Sequence, residues 1–205
     1  MLKLLRQVGK WKLVSFSLFI FIVSFFVYNQ FSSSISRDLE AKRLIAQLNT
    51  VLDSAEQYFH DNGTLPPITS DTNTKFGYLN INNLIENPGL PTWRGPYLPY
   101  SDTWIGGDQY IDHPDYIATQ LLLKEKNSRW IRGSSETGCE SSSPACSLAA
   151  CIWLVPIKVA QEINHIVDGN ISMESSDAKG KIRYEKAFMG SLVCMIGNDY
   201  PMPSF

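Results

Sequence analysis

Hydrophobic and polar positions divide the chain near its start. Leu13–Phe31, LVSFSLFIFIVSFFVYNQF, carries no charge, no Gly and no Pro, and Lys3, Arg6, Lys10 and Lys12 precede it. As a helix rising about 1.5 Å per residue, this run spans about 28 Å, close to the hydrocarbon thickness of a bilayer. Phe16, Phe19, Phe21, Phe25 and Phe26 leave no polar face, which argues against a helix buried in a soluble core. Secretory signal peptides have a shorter apolar region, about 7–15 residues, closed by small residues. Here the run ends in Val27-Tyr28-Asn29-Gln30-Phe31, and only the Ser32–Ser34 tract offers an alternative cleavage point. The pattern therefore predicts a leader over 1–12 and a retained transmembrane helix over 13–31. The leader's basic residues keep it cytoplasmic and send the remainder across the membrane.

From Ser36 the pattern turns amphipathic. Leu39, Ile45, Leu48, Val51 or Leu52, Ala55, and Tyr58 or Phe59 recur at steps of three and four, with charged residues between them. Asn62-Gly63 followed by Pro66-Pro67 supplies a stop, so the spacing predicts one helix from about Lys12 to His60, its amphipathic part falling in 32–62. The apolar positions drift over a face wider than a heptad seam, which calls for a folded partner rather than a coiled-coil stalk. That partner is the globular domain expected over 63–205. Pro and Gly punctuate Thr64–Asp115, so regular structure there must be short, with a turn of helix over Ile81–Ile85. Tyr116–Arg132 reads as a strand or a helix, and Gly133–Pro144 as a Ser-rich loop. Val155–Gly169 predicts a helix with Pro156 in its first turn, a face of Ile157, Ala160, Ile163, Ile166 and Val167, and Gly169 as its stop. Ser172–Gly180 reads as a loop, Lys181–Glu185 and Leu192–Ile196 as two strands joined through Gly190, and the YPMPSF tail as irregular.

Composition narrows this further. The chain has 205 residues, with 18 Lys and Arg against 20 Asp and Glu. Removing the leader's four bases leaves the exported part at about −6, which excludes nucleic-acid binding through bulk electrostatics. Cys139, Cys146, Cys151 and Cys194 all lie beyond the anchor, where thiols oxidise, and an even count predicts two disulfides. Three pairings are open. The favoured one joins Cys139 to Cys146 around the CESSSPAC loop, and Cys151, at the start of a helix, to Cys194 on a late strand. Zinc requires paired C-x2-C knuckles, whereas the spacings here are six, four and forty-two residues.

Two phrases carry a family resemblance. Glu56-Gln57-Tyr58-Phe59-His60-Asp61-Asn62-Gly63-Thr64-Leu65-Pro66 closes the long helix, and Trp93-Arg94-Gly95-Pro96-Tyr97-Leu98 follows downstream. With the basic leader and long helix, these resemble the type IV pilins and the pseudopilins of type II secretion systems, over roughly residues 1–100. The resemblance implies an α+β, pilin-like fold in which the long N-terminal helix, membrane half plus amphipathic half, packs on a small antiparallel sheet. An extra helix and the disulfides then secure the C-terminal region. It also implies a single-pass protein of the bacterial inner membrane, with its C-terminal domain periplasmic or extracellular in a filament. Its partners would be other pilin-like subunits, inner-membrane assembly proteins and membrane lipid. Processing after Gly9 would make Lys10 the first mature residue and Val14 the fifth, where the family usually carries Glu. That departure suits a minor or initiating subunit, or an assembly component retained in the inner membrane.

Candidate chemistry is sparse. Asp102, Asp108, Asp112 and Asp115 lie in one Gly-rich loop and form a candidate calcium set, since calcium takes six to eight oxygens; some members of the resembled family bind this ion. Ser176-Asp177-Ala178-Lys179 matches S-x-x-K without its companion motifs, and His60, His113 and His165 are isolated from any nucleophile pattern. No enzyme is expected. Trp93, Tyr97, Tyr100, Trp104, Tyr110 and Tyr116 are expected to cap the domain core, or else to form a binding surface for a partner subunit or carbohydrate. The reading is a pilin-like structural subunit acting by packing. The alternative is a single-pass inner-membrane protein whose periplasmic domain binds a ligand and never polymerises.

Overall fold

A computed structural model of the chain describes residues 2–70, 72–102, 104–126, 128, 130, 135–140, 143, 145–169, 180–187 and 189–200, with the side chains of 2–21, 26–31, 186 and 187 outside that set. The chain divides into two units, Met1–Glu40 and Ala41–Phe205. Helix α1 runs Leu2–Asn62, starting earlier than the pattern predicts. Among the described residues no helix is long and apolar enough to cross a membrane. Most of Leu13–Phe31, like Gly9 and Lys10, has its side chains outside the described set.

In the second unit, α1 buries Ala41, Leu44, Leu48, Val51, Leu52, Ala55 and Tyr58. This stripe differs from the expected one at its start: Leu39 is exposed, and Ala41 and Leu44 take its place. The helix ends as predicted. Gly63 adopts φ +74°, a left-handed value open to a residue without Cβ, and its N–H donates to the Phe59 carbonyl at 2.7 Å.

Short 3-10 turns at Thr74–Phe76 and Ile81–Leu84 interrupt the Pro-rich region. Strands β1 (Thr119–Glu125), β2 (Cys146–Val155), β3 (Ile182–Ala187) and β4 (Gly190–Tyr200) form one antiparallel sheet in the order β1-β2-β4-β3, and helix α2 spans Ile157–Asp168. The fold is thus α+β with a small antiparallel sheet, a second helix and two disulfides, Cys139–Cys146 and Cys151–Cys194.

Period-two alternation sorts the sheet into two faces. Leu121, Leu123, Leu148, Ala150, Ile152, Val193 and Met195 join the buried stripe of α1 and Val159, Ala160 and Ile163 of α2 in the main core. Leu122, Ala149, Cys151, Leu192 and Cys194 build a second, smaller cluster with Tyr78 and Trp130. Where α1 meets β4, Gly197 leaves room for Leu52: a Cβ there would lie 2.8 Å from Leu52 Cδ2.

The outer edge of β1 is covered in pieces. Ile111 pairs with Thr119, the Gly77 carbonyl accepts the Leu123 N–H, the Leu79 N–H donates to the Leu121 carbonyl, and the Cys139 N–H donates to the Leu123 carbonyl. Such cover removes an edge open to pairing with another chain.

Cys151 is a correction. It lies inside β2, directly opposite Cys194, not at the start of a helix. The run Cys146–Val155 is buried on both faces over much of its length, so its sequence lacks the alternation that marks a strand. In α2 the buried set is Val159, Ala160, Ile163 and Asn164, while Ile166 is exposed. Pro156 occupies the N-cap and Gly169 the C-cap. The Asp168 carboxylate accepts the N–H groups of Lys181 and Ile182 at 2.7 and 2.8 Å, tying the end of α2 to the start of β3. The Ser-rich loop is described only in part, and 170–179, which include the S-x-x-K match, lie outside the described residues, as do 201–205.

Candidate functional site

The two phrases singled out in the sequence meet at the end of α1. Asp61 and Asn62 occupy its last turn, and the Trp93–Leu98 segment folds over them. The Tyr97 hydroxyl donates to Asp61 Oδ2 at 3.1 Å and accepts the Arg94 N–H at 3.0 Å and Asn62 Nδ2 at 3.4 Å. Asn62 Nδ2 also donates to the Tyr58 carbonyl at 2.9 Å, while its Oδ1 accepts from Thr92 at 2.7 Å. Farther back on α1, the Ser54 hydroxyl donates to the Tyr97 carbonyl at 2.9 Å.

Aromatic packing completes this knot. Tyr97 stands edge-on to Tyr58 and to Trp93, each with ring centroids 5.6 Å apart, and the Trp93 indole donates to the Asn83 carbonyl at 2.9 Å. Gly95, followed by a cis peptide to Pro96, passes so close to these rings that a Cβ would lie 2.5 Å from a Trp93 ring carbon.

Beside the knot lies an apolar recess of about 300 Å³. Its floor is Tyr58, Leu65, Leu79 and Leu123, all buried, with Ile68 and Leu90 as half-buried walls. Thr64, Pro67 and Pro88 form an exposed rim. Burial raises the Tyr58 phenol above its ordinary value, and its hydrogen bond with Asn83 acts in the opposite direction.

No three of the four loop aspartates gather at one point. Asp108 accepts from Asn80 Nδ2 at 3.0 Å, Asp112 faces the Ser101 hydroxyl at 3.5 Å, and Asp102 bridges to Ile111 through its backbone. Asp115 is held by α1, with Arg43 Nη1 at 3.3 Å and Gln47 Nε2 at 3.2 Å. Among the described residues no three His, Cys, Asp or Glu side chains group as a metal site.

His113 has a structural position. Its Nδ1 accepts the N–H groups of Asp115 and Tyr116, each at 3.1 Å, and its ring packs against Tyr100 and Tyr116. Burial lowers its pKa to about 4; the Asp115 charge opposes this and Arg43 reinforces it. His60 and His165 are exposed. Of the aromatic set, Trp93, Tyr97, Tyr100 and Tyr116 pack on the main core, Tyr110 stands edge-on to Trp153, and Trp104 is 83% exposed.

Sequence reasoning missed Lys124. It lies in β1 on the face of the smaller cluster, fully buried, and its Nζ donates to the carbonyls of Phe76 and Ser135 at 2.7 and 2.8 Å. Two cations lie over the Trp130 ring, with Lys124 Nζ 5.6 Å and the Arg183 guanidinium 5.9 Å from its centroid. Burial brings the Lys124 pKa down to about 7. The only signal was a Lys embedded in LLLKE, which reads equally well as the exposed end of a strand.

The comparisons add no relative: the chain matches no family model, no curated protein and no solved structure. Fold and site define it by architecture, as an α+β domain whose helix end is locked to a Pro-rich segment by an aromatic knot. That arrangement can fix geometry and present surfaces.

Proposed function

We propose that the chain is a pilin-like structural subunit, a minor pilin or pseudopilin, of an envelope-spanning filament or secretion machine, acting by subunit packing. Leu13–Phe31 would anchor it in the bacterial inner membrane, with the domain beyond exported. The observation that carries this reading is the knot between Asp61-Asn62 and Trp93–Leu98. The two phrases behind the resemblance are separated by 26 residues of sequence, yet they act as one hydrogen-bonded unit. A subunit that stacks through its helix needs that helix held rigidly to its domain, and the knot provides such a hold. Two disulfides suit an oxidising, exported location.

The test is cysteine cross-linking in native membranes with Ile22→Cys, combined with mass spectrometry of the mature N-terminus. A ladder of cross-linked species with a start at Lys10 is the expected result. A chain that stays monomeric with Met1 intact would sink the filament reading. It would instead favour the anchored, ligand-binding alternative, for which the apolar recess is the specific supporting observation.

A further inference from the structure

We infer that the recess beside the helix-end knot is a binding site for a small, uncharged, largely apolar molecule of about ten to fifteen non-hydrogen atoms. Its volume is about 300 Å³, and a cavity of about half that size takes up benzene. It lies at the lower end of the range typical of ligand pockets.

The lining sets the ligand's chemistry. Among the described residues no charged side chain lines the recess, so an ionic ligand would lose its hydration without a counter-charge. The described lining holds three polar side chains, of which Tyr58 and Asn83 are hydrogen-bonded to each other. The depth of the recess is therefore apolar, closed off by the buried side chains of Tyr58, Leu65, Leu79 and Leu123. Thr64 on the exposed rim is the remaining polar side chain, which places a single neutral hydroxyl of the ligand at the mouth.

The site is also preorganised. Pro66, Pro67 and Pro88 restrict the backbone around it, and Leu79 is bonded through its backbone to β1, so little ordering is required on binding. An unfilled apolar recess is unfavourable for stability, and a larger side chain at Leu90 or Ile68 would close it. A compact recess with a neutral lining suits a small molecule better than an extended polypeptide. The inference is independent of whether the chain polymerises.

The probe is 1-naphthol, uncharged at neutral pH, added to the full chain in lipid nanodiscs. Binding is read from the ¹³C-methyl signals of Leu65, Ile68, Leu79 and Leu90, because partition into lipid does not shift these methyls. Saturable shifts confined to this set are expected, with 1-naphthalenesulfonate weaker by about tenfold or more. Leu90→Trp, or Ile68→Phe should the first variant fail to fold, should weaken the shifts by a similar factor while the Leu48 and Val193 methyls stay unchanged. Three outcomes overturn the inference. They are no shift up to the solubility of naphthol, shifts indifferent to a folded filling variant, or concentration-dependent shifts without naphthol, which would assign the recess to a second copy.

Discussion

Tyr97 concentrates much of the helix-end knot in one hydroxyl, which serves Asp61, Arg94 N–H and Asn62 together. Tyr97→Phe keeps the ring contacts with Tyr58 and Trp93 but leaves those partners without it. The expected loss is about 1–2 kcal/mol in urea unfolding followed by tryptophan fluorescence, and an unchanged midpoint would show that water replaces the hydroxyl freely. His113 makes a second residue-scale prediction. Its folded pKa, about 4, lies below the ordinary 6.5, so between these values the unfolded chain binds more protons. Stability from this group is complete above about pH 6.5 and is lost as pH falls through about 4, because a protonated Nδ1 can no longer accept the Asp115 and Tyr116 N–H groups. The fall in thermal midpoint from pH 7 to pH 4 should be smaller for His113→Asn, whose side-chain carbonyl does not titrate. Lone in the sequence, this histidine offered no hint of a capping role, since the N–H groups it serves are recognisable only in the folded turn.

At the scale of elements, glycines separate local stops from long-range contacts. Gly63 and Gly77 both have positive φ, +74° and +68°. A Cβ at Gly63 meets nothing within 4 Å, whereas one at Gly77 would lie 2.2 Å from the Leu123 carbonyl oxygen and 2.9 Å from Gly138 Cα. Gly63→Ala should therefore cost about 1 kcal/mol, the left-handed conformation alone. Gly77→Ala should cost about 3 kcal/mol or more, because the cover on the β1 edge must move as well. Chemical denaturation of the two variants side by side checks the contrast, and equal losses would refute it. The same division decides what was legible beforehand. The end of α1 at Asn62-Gly63, α2 and the β3–β4 pair follow from local periodicity and stop signals. β2 does not, because Cys146–Val155 is buried on both sides and its apolar run matches a core helix equally well.

For the whole molecule, the disulfides act on different lengths of chain. Cys139–Cys146 spans a separation of 7 residues and Cys151–Cys194 one of 43. All four cysteines are buried, so the packing lost on removal is similar. Loop-closure entropy then makes the paired Ala variant at Cys151 and Cys194 less stable than that at Cys139 and Cys146 by about 1.5 kcal/mol. Denaturant titration of the two double variants measures this, and the reverse order would show that the short loop does more than tether Cys139 to β2. The sequence alone determined the amphipathic helix, its stop and the two phrases at the helix end, since each depends on neighbours along the chain; it favoured oxidised cysteines but left three pairings open, and the fold selects Cys139–Cys146 and Cys151–Cys194. Only the tertiary structure decided that those phrases form one knot, that an apolar recess opens beside it, that Asp115 is held by Arg43 and Gln47 of α1, and that Lys124 is buried against Trp130. Each of these depends on which distant segments meet, as Tyr97 meets Asp61 and Arg43 meets Asp115, and a linear pattern of hydrophobicity and charge carries no record of such meetings.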